Sequence, residues 1–221
     1  MMISVMQPYL FPYIGYYQMI NHVDTFVVLD DVQYIRRGWI NRNNISISDK
    51  TRDKMMFSVP VKKAPRETLI KDILLSEEYG LWKKKFYKTL EKRYSKKENY
   101  DKVITLVKTI FDKNHQTISQ LSTDSLKSVS DYLNIKTSFV FSSELRTSGT
   151  SEQKIINICK SLGATDYVNS IGGKELYSKD KFSNHKINLS FIKAKNTFNY
   201  NSIIDLLMNG ENFSLKDHVL E

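Results

Sequence analysis

The sequence predicts an α/β fold built on a parallel sheet, whose two halves are separated along the chain by a helical insertion. Three observations carry this. From Met2 to Asp31 the chain reads strand, turn, helix, strand within about thirty residues, which is the signature of a βαβ unit. Short apolar runs alternate with helical periodicity again from Ser138 to the C-terminal region. Between these halves, residues 79–133 keep a helical period with no strand-like run.

The elements follow in order. MISVM (Met2 to Met6) is a short buried strand bounded by Gln7-Pro8, and a helix starts after Pro12, because proline suits a first helical turn. Ile14, Tyr17 and Ile20 share one face of that helix. TFVVLDD (Thr25 to Asp31) is a second strand ending in two carboxylates. Irregular or extended pieces run through NISIS, MMFSVPV and LIKDILL, from Asn44 to Leu75. In LWKKKFYKTLEKRYSKK, residues Trp82, Phe86, Leu90 and Tyr94 recur every fourth position, which makes an amphipathic basic helix. A second helix spans Tyr100 to about Leu133. SFVFSSE (Ser138 to Glu144) is a strand, and Glu152 to Leu162 is a helix capped by Gly163. DYVNS (Asp166 to Ser170) and INLSFI (Ile187 to Ile192) follow, the latter as the last strand. SIIDLLMNG (Ser202 to Gly210) closes the chain as a helix.

With 221 residues, 41% hydrophobic and 12% aromatic, the chain suits a single domain, 1–221, with residues 79–133 inserted within it. A chain of this size buries roughly 70% of the surface it exposes when unfolded. The single cysteine, Cys159, lies at helical spacing with Ile155, Ile158 and Leu162 and reads as a buried apolar residue. It excludes an internal disulfide. The apolar N-terminus has no basic flank and is interrupted by Pro8 and Pro12, unlike an export signal. No run reaches 18 apolar residues, so no membrane span is expected, and the expected location is cytoplasmic.

The net charge of +9 is concentrated in the middle of the chain, where residues 61–120 carry 15 basic against 8 acidic side chains. Most of that excess falls on Leu81 to Lys97. It forms either a solvated helix face or a positive field for a phosphorylated or polyanionic ligand.

Parallel sheets bind ligands beyond the carboxyl ends of their strands. After the first strand come Gln7, Tyr9, Tyr13, Gly15 and Tyr16, and after the second Asp30, Asp31, Gln33, Tyr34, Arg37, Asn41, Arg42 and Asn43. Ser143 and Glu144 end the strand that begins at Ser138. Ser170, Gly172, Gly173 and Lys174 end the one that begins at Asp166, where a glycine-rich helix start would hold an anion. Asp30 and Asp31 alternate sides if the strand continues, so at most one faces the cleft. Each group also has a plain reading: a solvated turn, a tight turn, or a core layer of phenols. Their shared position on one rim favours a site.

The order MQPYLFPYIGYY, FVVLDDVQYIRRGWINRN, SSEL, ICKSLGATDYVNSIGGKEL, NLSFI and SIIDLLMNG resembles the WbqC-like family of bacterial proteins over essentially the whole chain. The DDVQY and NRN segments are its most specific parts. The resemblance implies work on activated sugars, since family members accompany genes for O-antigen and other surface polysaccharides. It also implies a link to bacteriophage relatives that attach an amino acid to an activated hydroxymethyl-pyrimidine in DNA and displace pyrophosphate. A weaker similarity joins Tyr13-Ile14-Gly15-Tyr16 to the His-x-Gly-His turn of HIGH-motif nucleotidyltransferases, implying a nucleotidyltransferase-like (HUP-like) core. Both histidines are tyrosines here. A phenol donates a hydrogen bond to phosphate but brings no positive charge, so the similarity implies a phosphate-facing turn and stops short of adenylyl transfer.

The expected activity is therefore transfer of an amine or amino acid to a nucleotide-activated sugar or pyrophosphorylated nucleoside. Asp30 or Asp31 would serve as base, or would position a Mg2+ carried by a diphosphate, with Arg42 as the third catalytic group. Arg37, Arg42 and Lys174 would hold the leaving phosphates. Gln7, Gln33, Asn41 and Asn43 would fix the substrate's polar edge, and Tyr9, Tyr13 and Tyr16 would floor a base or sugar ring. Two alternatives stand beside it. One is nucleic-acid binding, or modification of a DNA base, by the Leu81–Lys97 helix. The other is a metal-dependent hydrolase, disfavoured because His22, His115, His185 and His218 are scattered without ligand spacing.

Overall fold

A computed structural model describes residues 1–48 and 53–221. Its centre is a six-stranded sheet in the order β5-β2-β1-β6-β7-β8. Strands β1 (Met2–Met6), β2 (Thr25–Val28), β5 (Ser138–Phe141), β6 (Asp166–Ser170) and β7 (Asn188–Ala194) are parallel, and β8 (His218–Leu220) is antiparallel at the edge. The fold is α/β with a mostly parallel sheet flanked by helices, as predicted, and it is consistent with a nucleotidyltransferase-like core. Both faces are covered. Phe26 and Val28 pack into one apolar cluster, while Ile3, Val5 and Val27 pack into another with helix α5 (Ser151–Ser161). Within β2 this is the period-two alternation of a strand, and it requires apolar residues on both faces of a parallel sheet.

The first cluster holds helix α1 (Ile14–His22), which crosses from β1 to β2, and the central helices α2 (Tyr79–Tyr94), α3 (Tyr100–Phe111) and α4 (Ile118–Tyr132). The row read from α2 is its inner face: Phe86, Leu90 and Tyr94 are buried and Trp82 packs against them. Each such side chain contributes about 1.5–3 kcal/mol by leaving water. The Tyr94 hydroxyl donates to the Asp205 carboxylate, fastening α2 to helix α7 (Ile203–Asn209).

Several elements differ from the sequence reading. The helix expected from Tyr100 to Leu133 is two, because Thr117 opens α4 with a capping box. Its hydroxyl accepts from Gln120 N–H at 3.3 Å and the Gln120 side chain accepts from Thr117 N–H. The pieces around 44–58 form a separate antiparallel pair, β3 (Arg42–Ser46) with β4 (Lys54–Ser58), and residues 70–72 make a 3-10 turn. Strand β2 stops at Val28 rather than Asp31, and β5 at Phe141 rather than Glu144. INLSFI is not the last strand, nor α7 the last element: β8 pairs beside β7. Residues 171–176 form a 3-10 turn instead of opening an α-helix. Ser202 caps α7 with its side chain, and Gly210 ends it in the left-handed region.

Candidate functional site

Strand β1 lies between β2 and β6, so the chain leaves it in one direction and returns on the other side. Loops that diverge at such a switch point open a crevice. A hollow of about 520 Å3 occupies it, walled by Gln7, Tyr9, Tyr13 and Tyr16 after β1, by Asn169, Ser170, Gly172 and Gly173 at and just past the end of β6, and by Ile35 and Trp39 from the loop after β2. The turn before α1 is tied down from three sides. Asn43 Nδ2 donates to the Phe11 carbonyl at 2.6 Å, Ser202 Oγ donates to the same carbonyl at 2.9 Å, and Leu10 N–H reaches Ile40 O at 3.0 Å. These contacts hold Phe11 at φ 44, a left-handed conformation costly for a bulky residue.

Among the described residues no side chain lining this crevice is charged. The Tyr16 hydroxyl donates to the Gln7 carbonyl, and the Tyr9 ring stands edge-on to Tyr16 at 5.9 Å and tilted to Trp39 at 6.3 Å. Burial raises the pKa of Tyr9, Tyr13 and Tyr16, with a hydrogen bond to Ser170 working the other way at Tyr13, so the phenols stay neutral. Trp39 and Leu176 at the mouth are 48% and 70% exposed. Gly15 is required by packing: a Cβ there would meet the Tyr13 ring at 2.5 Å and the Ala194 methyl at 3.2 Å.

A second hollow, about 360 Å3, lies against the other side of the same loop. Ile35, Gly38, Trp39 and Ile40 face the crevice, whereas Tyr34, Arg36, Arg37, Asn41 and Arg42 face the second hollow. The loop turns at Ile35–Gly38, where Gly38 N–H bonds Ile35 O at 2.9 Å and Arg37 takes φ 63. The opposite wall, residues 61–65, brings Lys62 and Lys63. Among the described residues five cations line the space and no carboxylate does. Lys62 pairs with the exposed Glu77 at 3.2 Å, and Arg36 donates to the Ala64 carbonyl. Arg42 lies over Trp39 at 5.4 Å, its Nε buried without a hydrogen-bond partner.

The carboxylates sit elsewhere. Asp30, 4% exposed, accepts from Ser143 N–H at 3.1 Å, Ser143 Oγ at 2.9 Å and Ser142 Oγ at 3.2 Å. Asp31 accepts from the same Ser142 hydroxyl and pairs with the buried Lys154 at 2.8 Å. The expected alternation of the two acids fails because β2 has already ended, and both turn toward Ser142. Neither lines either hollow.

The sequence profile of the WbqC-like protein family matches residues 7–216. The chain belongs to that family. It is similar to the uncharacterized protein Rv1507c of Mycobacterium tuberculosis, at 26% identity over 94% of this chain and 93% of the relative. No solved structure matches it significantly.

In this WbqC-like protein the crevice gathers Gln7, Tyr9, Tyr13, Gly15, Tyr16, Ser170, Gly172 and Gly173, and the cationic hollow gathers Tyr34, Arg37, Asn41 and Arg42. Asp30, Asp31, Gln33, Asn43, Ser143, Glu144 and Lys174 line neither. Asn43 is fully buried on backbone carbonyls, and Gln33 Nε2 donates to Arg66 O at 2.7 Å. Ser143 serves Asp30, Glu144 is exposed, and Lys174 pairs with Glu221 at 3.0 Å on the surface. Asn41 is held by Tyr34 OH at 2.9 Å and donates to Val59 O at 2.7 Å. Sequence reasoning missed Lys62 and Lys63, for which the run PVKKAPR was the available signal, and Asn169 and Leu176. On α2, Lys83 pairs with Asp112, while Lys84, Lys85 and Lys88 are exposed and line neither hollow. Among the described residues no group of three His, Cys, Asp or Glu side chains could hold a metal. No helix among them is long and apolar enough to cross a membrane. Cys159 is buried, and burial pushes its thiol up to about 12.

Proposed function

We propose that this protein is a transferase whose substrate carries a ring and a diphosphate, either a nucleotide-activated sugar or a pyrophosphorylated nucleoside. It would act in surface-polysaccharide (O-antigen) biosynthesis or in nucleotide modification. One observation carries the reading: a single loop separates an aromatic crevice at the switch point, uncharged among the described residues, from a hollow that five cations and no acid of the described residues line. Phenol and indole faces, with the amides of Gln7 and Asn169, suit a flat polar ring. Guanidinium and ammonium groups suit phosphate oxygens.

The partner is an amine or amino acid. Its nitrogen forms a bond to the carbon that bears the diphosphate, the carbon–oxygen bond breaks, and the electron pair leaves on the diphosphate oxygen, as pyrophosphate from a pyrophosphorylated nucleoside or as a nucleoside diphosphate from a nucleotide sugar. Arg37 and Arg42 stabilise that developing charge, and the proton released from nitrogen passes to water. A base role for Asp30 or Asp31 would need a carboxylate oxygen facing the ring. In this reading they are positioning residues that hold the end of β2 through Ser142, Ser143 and Lys154.

The test is thermal stabilisation against nucleotide sugars, nucleoside triphosphates and amino acids, since a ligand of the folded state raises its stability by mass action. A phosphorylated ring compound is expected to raise Tm well beyond its free phosphate, with quenching of Trp39 fluorescence. Equal shifts from the phosphate alone and from the whole compound end the reading. Nucleic-acid binding by α2 predicts a gel shift that weakens steeply with salt, and no shift at low salt disposes of it.

A further inference from the structure

We propose that the cationic hollow is a two-walled clamp for a diphosphate with a free end, and that Arg36, Lys62 and Lys63 are its phosphate-binding residues together with Arg37 and Arg42. The inference rests on the proposed function for what the phosphates are attached to, and on the hollow alone for their number.

The walls come from separate parts of the chain. Residues 34–42 follow β2, and residues 61–65 follow β4. The Arg36 side chain crosses to the Ala64 carbonyl and so fixes their spacing. Arg37, Arg42 and Lys63 have no carboxylate partner among the described residues, and Arg42 keeps a buried, unpaired Nε–H. A donor left unpaired in a buried position is costly unless an acceptor arrives. Arg37 is held at φ 63, where a glycine would be easier, which keeps a guanidinium on this wall.

Charge selects the ligand. Five cations line the hollow, one of them shared with Glu77, whose side chain is 91% exposed. A single phosphate group carries about −1.5 to −2 near pH 7 and would leave the site strongly positive. A diphosphate substituted at both ends carries about −2 by the same ionisation logic, one strong acid per phosphorus, whereas a free-ended diphosphate carries about −3. Of these three forms the free-ended diphosphate comes nearest to balancing the cations. This favours a pyrophosphate monoester or nucleoside polyphosphate over a nucleotide sugar.

The test is calorimetric titration of the full chain with inorganic phosphate, pyrophosphate and tripolyphosphate. Pyrophosphate is expected to bind at least about tenfold tighter than phosphate, and K62A/K63A to weaken pyrophosphate by about tenfold or more, as loss of two charge-assisted contacts should. Lys62 and Lys63 are exposed residues, so the variant keeps its fold. The control K84A/K88A removes two charges from α2 and is expected to leave the affinity unchanged. Equal affinity for phosphate and pyrophosphate, wild-type affinity in K62A/K63A, or equal weakening in the control overturns the clamp. Pyrophosphate binding that depends on Lys62 and Lys63, without any gain from an attached ring, keeps the clamp and removes the transferase reading. Nucleotide stabilisation that survives K62A/K63A does the reverse.

Discussion

Two charged clusters stand at the ends of neighbouring segments in this molecule, and they are built on opposite terms. Around Asp30 and Asp31 every charge is answered from within: Ser142, Ser143 and Lys154 supply donors, and the group is largely buried. Around Arg42, cations face a hollow that no carboxylate of the described residues lines. A charge satisfied internally holds the chain together, whereas a collection of like charges costs stability through self-repulsion unless a ligand comes to it. The carboxylates that look catalytic in the sequence are thus answered by partners inside the protein, whereas the cations face an open hollow.

That contrast breaks most easily at Lys154. Lys154→Ala leaves the half-buried Asp31 without its cation and is expected to cost about 2 kcal/mol or more by urea denaturation. A loss below about 1 kcal/mol would mean that the pair is not the internal tie described. Asp30→Ala, which strands Ser143 N–H, should cost about 2 kcal/mol while leaving pyrophosphate affinity at the wild-type value. A large drop in affinity with little loss of stability would instead move Asp30 into the binding machinery.

Arg42→Ala should show the mirror image: about a tenfold weaker affinity for a phosphorylated ring compound, with stability changed by less than about 1 kcal/mol. Equal affinity before and after the change would erase the contrast.

The smallest effect concerns pH. The crevice phenols keep their protons, so binding should be flat from about pH 7 to 9, below the ordinary tyrosine range near 10. Their raised pKa values mean that the unfolded chain ionises first. The associated stability is present below about pH 10 and is lost as pH rises past it. Spectrophotometric titration that ionises Tyr16 below pH 10 in folded protein would contradict the burial of its ring.

The strands at both ends of the chain were legible because a buried parallel strand is a short apolar run with turn residues at its ends. DYVNS is a strand over its whole length, while TFVVLDD and SFVFSSE start as expected and each end three residues early. The break between α3 and α4 was not, since apolar spacing continues through both helices and only the local Thr117–Gln120 exchange ends one and starts the next. At the site, the phenols and Arg37 and Arg42 were legible as residues just past strand ends. The roles of Asp30 and Asp31 were not, because their partners lie 112 and 123 residues further along the chain. Lys62 and Lys63 were hidden likewise: they look like surface lysines until β4 carries the following segment to face Arg42.

The amino-acid order alone determined the layered α/β arrangement, the aromatic turn after β1 and the basic character of the middle of the chain, since these follow from periodicity and composition along a short window. Tertiary structure decided which charges meet one another and which are left facing a space. That outcome depends on the approach of separate segments, 112 and 123 residues apart at Asp30 and Asp31 and about twenty apart at the cationic hollow, because a side chain acquires its partner only when another part of the backbone is brought within a few ångströms of it.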